Sequence, residues 1–77
     1  MTEFDRLKNG YITVIQFAFA SGVSKQDAKH GNDVLHKFCE TLVDNSNYLD
    51  SEKHKMKEEL SSIKHKMDLE IEIIYKD

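Results

Sequence analysis

The four histidines are the residues of this chain best suited to bind a metal ion: His30, His36, His54 and His65. Zinc sites in short sequences space their ligands as HxxxH or as clusters of cysteine and histidine, and neither pattern occurs here. His54 and His65 would lie about 16 Å apart on one helix, at about 1.5 Å per residue, so a single ion could not bridge them. We therefore expect surface histidines and no metal.

Cys39 is the one candidate nucleophile and the sole cysteine, which excludes an intrachain disulfide. It falls within an apolar stripe at helical spacing formed by Leu35, Phe38, Cys39 and Leu42, so we expect a buried thiol. No Ser/His/Asp order, glycine loop for phosphate or paired-carboxylate motif accompanies it. The sequence therefore predicts neither enzyme activity nor a cofactor.

The segment DRLKNGYITVIQ resembles an EF-hand calcium loop at four positions, which are Asp5, Asn9, Gly10 and Ile12. Leu7 stands at the third position of the loop, and Gln16 replaces the bidentate glutamate at the twelfth. Because these departures remove essential oxygen ligands, we expect no calcium binding.

Residues 14–32, VIQFAFASGVSKQDAKHGN, resemble a helix-turn-helix, with Gly22 at the turn. The resemblance implies an alternative function as a DNA-binding regulator that dimerises through the C-terminal helix. Its candidate DNA contacts are Lys25, Gln26 and Lys29. The pattern departs at Ala28 and Gly31, and a net charge of −3 with a single arginine, Arg6, argues against nucleic acid as the partner.

These side chains must be positioned by helices, and the sequence predicts an all-α fold of three short helices and one long one. A polar start ends in a turn at Asn9-Gly10, after which Thr13 and Gln16 suit a capping box for a helix over about 13–21. The β-branched and aromatic residues of 11–19 leave a strand as the alternative. Ser21-Gly22 supplies the stop.

A second helix is predicted over about 24–30, capped by Ser24 with Asp27 and ended by His30-Gly31. A third follows over about 33–44. A polar loop rich in asparagine and aspartate then leads to a long helix over about 50–75.

An eleven-residue phrase occurs twice in that last helix, as KHKMKEELSSI and KHKMDLEIEII, with six identical positions. Eleven residues fill three helical turns, so both copies present one face. We predict a partner-binding surface there, formed by Met56, Leu60, Ile63, Met67, Ile71 and Ile74 and extended by Leu69 and Ile73.

Seventy-seven residues, 39% of them apolar and 32% charged, indicate one folded domain with a thin core. We expect a compact helical half over residues 1–46 and an interaction helix over 47–77. No apolar run is long enough to span a membrane, and a cytoplasmic location is the expectation. The predicted function is a small non-enzymatic protein-binding module, an adaptor, inhibitor or assembly subunit that self-associates or docks on a protein through its C-terminal helix.

Overall fold

The computed structural model describes residues 2–75 and shows an all-helical chain. Within that range there are three helices: α1 (Glu3–Ala20), α2 (Lys25–Asp44) and α3 (Asp50–Ile74). The predicted all-α class is confirmed, and residues 11–19 are helix rather than strand. The predicted count of four helices is wrong.

The first helix begins at Glu3, ten residues before the predicted start at 13. Thr2 is its N-cap, since its hydroxyl accepts a hydrogen bond from the Asp5 amide at 3.1 Å and its own amide donates to the Asp5 carboxylate at 3.2 Å. Asn9-Gly10 therefore lies inside the helix. A helical glycine costs only about 1 kcal/mol, and the continuous burial of Tyr11 and Ile15 outweighs that cost.

The turn after α1 has the predicted signals. The helix ends at Ala20, and Gly22 adopts a positive φ of 78°, which favours glycine. Ser24 caps the next helix, with its hydroxyl accepting from the Asp27 amide at 3.1 Å.

The second helix continues through Gly31, so the two helices predicted over 24–30 and 33–44 are one. Ala28, Asn32, Cys39 and Val43 form an unbroken buried stripe along it, and a single glycine does not interrupt that packing. The long C-terminal helix was predicted to within a residue at its end, and the alternating residues 69–73 are helical.

The helices run along one direction. The Cα atoms span 43 × 18 × 17 Å, and a 20-residue α2 is about 30 Å long, so it fits only along the longest dimension. Consecutive helices are therefore antiparallel, and α1 and α2 form a hairpin instead of the crossed pair of a helix-turn-helix. None of the described helices combines the length and apolarity that a bilayer span requires.

The core draws on all three helices. Tyr11 and Ile15 of α1, Cys39 and Val43 of α2, and Leu60 and Met67 of α3 form one buried cluster. The C-terminal helix therefore forms part of the core of the bundle.

Candidate protein-binding surfaces

The partner-binding residues predicted on α3 divide into two groups. Three of them, Leu60, Met67 and Ile71, are buried, while Met56 and Ile63 are partly buried against the core. The chain itself covers the first three residues completely and the other two in part, so little of this group is available to a partner while the bundle is folded.

The remaining three predicted residues stay in solvent at the C-terminal end of α3. Leu69, Ile73 and Ile74 are 52–66% exposed, and we call them the α3 tip. Equivalent positions of the repeat do not always share the same burial: Leu60 and Ile71 are both buried, whereas Ile63 is partly buried and its equivalent Ile74 is exposed. Beyond Ile74, the Tyr75 ring packs edge-on against Phe19, so the exposed residues lie on one side of the helix end.

A larger exposed apolar surface lies on the hairpin of α1 and α2. Its members are 43–71% exposed, and we call them the α1–α2 face: Val14, Phe17, Val34, Phe38 and Leu42. Val14 and Phe17 are three residues apart, and the other three are four apart, so each set occupies one side of its helix.

The two sets form a single surface. Val14 lies two turns beyond Leu7, on the same side of α1, and Leu7 borders a surface depression together with Leu42. Since α1 and α2 are antiparallel, the strip that begins at Leu7 and Leu42 continues past Phe38 to Val34 and Phe17. It faces away from α3, which contacts the opposite flanks of the hairpin through pairs such as Lys8 with Glu59 and Asp33 with Lys64.

The α1–α2 face is almost free of charge. Among the residues one helical turn from its five members, Lys37 is the only lysine, arginine, aspartate or glutamate. Gly10 and Gly31 lie in this neighbourhood, and a Cβ built on either would meet no atom within 4 Å. The face is therefore apolar and sterically open beside both glycines, with charged residues only at its margins, where Lys37 lies one turn beyond Val34 and Glu3 borders the depression at Leu7 and Leu42.

A buried polar network ties the three helices together behind this surface. Asn32 is fully buried; its side-chain oxygen accepts a hydrogen bond from the Tyr11 hydroxyl. Its amide nitrogen donates to an Asp68 carboxylate oxygen at 2.8 Å and to the Lys64 carbonyl at 3.1 Å. Burial raises the pKa of the Tyr11 hydroxyl well above its usual value, so this group remains a donor.

Lys64 extends the network to the surface. Its ammonium group lies 3.0 Å from Asp68 and 2.9 Å from Asp33, and these hydrogen bonds raise its pKa. All polar groups of the network thus have partners, which is the arrangement expected of a structural network rather than a reactive one.

The candidate DNA contacts are placed at the start of α2. Gln26 is exposed, but the ammonium groups of Lys25 and Lys29 lie 2.7 and 2.6 Å from the carboxylate of Glu72. Hydrogen bonds from both lysines lower the pKa of Glu72 from its ordinary 4.5 to about 2. A phosphate at this position would compete with the Glu72 carboxylate for both lysines and would be repelled by its charge.

The side chains that could bind a metal ion or act as a nucleophile are not grouped into one site. Within residues 2–75, no three histidine, cysteine, aspartate or glutamate side chains are arranged to hold a metal ion. His54 pairs with Glu58 at 2.9 Å on the exposed side of α3, and His36 lies 3.7 Å from Glu40. Cys39 is buried, as its place in the apolar stripe predicted, and burial raises the pKa of its thiol.

Comparisons with known proteins add no relative: the chain matches no protein-family model, no curated protein and no solved structure.

Sequence reasoning missed most of the α1–α2 face. It placed Phe38 and Leu42 in an apolar stripe with Leu35 and Cys39, but only Cys39 of the four is fully buried. The usable signal was the four-residue spacing of Val34, Phe38 and Leu42, which defines a second stripe beside the buried one.

Proposed function

We propose that this protein is a small non-enzymatic protein-binding module whose partner packs on the α1–α2 face. The observation that supports the proposal is the group of five large apolar side chains, 43–71% exposed, side by side on one uncharged surface. Single exposed apolar residues are ordinary on soluble domains, whereas a contiguous patch marks an interaction site. Each 100 Å² of it that a partner covers contributes about 2.5 kcal/mol.

The α1–α2 face is a better anchor than the α3 tip. It contains Phe17 and Phe38, and aromatic side chains dominate the binding energy of protein interfaces. The tip offers three aliphatic residues, with Glu70 and Glu72 among them in sequence. Desolvating those carboxylates would offset part of the gain from covering the tip.

The regulator alternative draws less support. Its two lysines each form an ion pair with Glu72, and Asp27 and Asp33 lie close by in α2. Tight binding to DNA requires clustered cations that displace counterions from phosphates, and the charge of these two lysines is partly offset by the carboxylate that they share.

The proposal can be tested by photo-crosslinking in the native host. A benzophenone amino acid is introduced in place of Phe38, and in a control variant in place of Leu69, which has similar exposure. We expect a discrete protein adduct from position 38 that disappears when Phe17→Ser is added, with none from position 69. No adduct from position 38, or an adduct from position 69 alone, would refute the assignment of the binding surface.

A further inference from the structure

We infer that the partner of the α1–α2 face is a second copy of this chain. Two hairpins would pack face to face around a two-fold axis, so that α1 and α2 of both copies form a four-helix bundle and each α3 lies on its outside. The inference rests on the proposed function and names its partner.

The charge pattern of the face suits a copy of itself. A two-fold interface brings the same patch of both subunits together, so charged residues near the axis would meet their own equivalents and repel. None of the five members is charged, and Lys37 is the only charged residue three or four positions from any of them. Moreover, Lys37 lies one turn from Val34 alone, at the edge of the face, where it can remain in solvent.

The available area matches a reversible dimer. An aromatic side chain presents about 150–250 Å², so Phe17 at 71% and Phe38 at 57% exposure offer about 250 Å² together. The two valines and Leu42, about half exposed, bring the apolar area to about 450 Å² per copy. A standard interface covers about 800 Å² per partner including its polar rim, so this face would supply its apolar centre.

The backbone leaves room for close approach. Gly10 on α1 and Gly31 on α2 lie beside the large apolar residues, with open space above each Cα. Small residues next to large ones let the side chains of a facing helix enter between them. A dimer would therefore place apolar side chains of one copy over the glycines of the other.

The test is sedimentation equilibrium of the purified protein from about 1 to 200 μM, a range that brackets micromolar dissociation constants. We expect the mean mass to rise with concentration from 9.0 kDa towards twice that value. Phe38→Ala should raise the dissociation constant on the order of 100-fold, because a substitution enters a two-fold interface twice. Ile73→Ala, at an equally exposed site on the α3 tip, is the matched control and should leave it unchanged.

Two results would overturn the inference. One is a monomer at every concentration; a heterologous adduct from the photo-crosslink at position 38 would then still uphold the proposed function. The other is a dimer that Ile73→Ala dissociates and Phe38→Ala does not. Circular dichroism of both variants should match the parent protein, since both side chains are mainly in solvent.

Discussion

Replacing Asn32 by leucine is expected to destabilise the bundle through the loss of three side-chain hydrogen bonds. Asn32 accepts a hydrogen bond from Tyr11 and donates two, to Asp68 and to the Lys64 carbonyl. Leucine has the same branched shape and leaves no cavity, but it forms no side-chain hydrogen bond, so the Tyr11 hydroxyl keeps only the backbone carbonyl of residue 32, at 3.2 Å, as an acceptor. The change therefore separates the cost of the lost bonds from the cost of a cavity.

The expected loss in the free energy of unfolding can be estimated from these contacts. Each of the three lost hydrogen bonds is worth about 1 kcal/mol net, partly offset by about 1–2 kcal/mol from burying leucine. We expect Asn32→Leu to lower the free energy of unfolding by about 1–2 kcal/mol. In a Tyr11→Phe background only two of these hydrogen bonds are lost, and the cost should fall to about 0–1 kcal/mol.

A double-mutant cycle measures this coupling. The free energy of unfolding is obtained from urea titrations of the parent, both single variants and the double variant, with the slope of each transition compared to verify two-state behaviour. Coupling of about 1 kcal/mol between Tyr11 and Asn32, the worth of the one hydrogen bond between their side chains, is the expected result. Additive effects, within about 0.3 kcal/mol, would show that the hydrogen bond between them does not stabilise the fold.

Three further predictions can be checked by the same titrations. Gly10→Ala should stabilise the protein by about 0.5–1 kcal/mol because Gly10 is helical with open space at its Cβ, whereas Gly22→Ala should destabilise it by about 1 kcal/mol because Gly22 has a positive φ; a loss at Gly10 would mean that the segment is a turn. Leu60→Ala should cost about 2–5 kcal/mol and Ile73→Ala less than about 0.5 kcal/mol, and equal costs would contradict the burial of one and the exposure of the other. Because the folded-state pKa of Glu72 is lowered from 4.5 to about 2, its ion pairs should stabilise the protein above pH 4.5 and cease to do so as the pH falls towards 2; Glu72→Gln should reduce that acid-induced loss, and an unchanged pH profile would contradict it.

Local signals predicted the turn between α1 and α2 correctly because they act within a few residues. Ser24 caps its helix through the amide three residues later, and Gly22 adopts the conformation that glycine favours. Both contacts depend only on neighbouring sequence, which is why they could be identified without the fold.

The misplaced helix boundaries have the opposite cause. Asn9-Gly10 and His30-Gly31 are turn signals whose cost within a helix is small, about 1 kcal/mol. The buried contacts of Tyr11 on one helix and Asn32 on the other stabilise the structure by more than the cost of a helical glycine, but these contacts are made with residues distant in sequence. Local propensity could not reveal this competition, so one helix began too late and another was divided.

The candidate surface was only partly predictable for a related reason. An apolar stripe on a helix indicates that this side of the helix is buried, but it does not show whether the protein's own core or a partner covers it. The repeated face of α3 is buried mainly against α1 and α2, with Leu60 and Met67 in the core, whereas Phe17 and Phe38 are exposed. A bundle of this size cannot cover every apolar stripe, and the choice among them depends on the packing of all three helices.

The buried position of Cys39 makes chemical labelling of its thiol a measure of how often the helices separate. Its thiol is buried in the core and held protonated, so an oxidising disulfide reagent can react with it only in molecules whose helices have separated. The attached group would occupy space that Tyr11, Leu60 and their neighbours fill in the closed bundle, and a labelled molecule could not close again without loss of packing. The fraction labelled after a given time would therefore report the molecules that opened and reacted before they closed again, and the label would hold those molecules open until a reductant removed it.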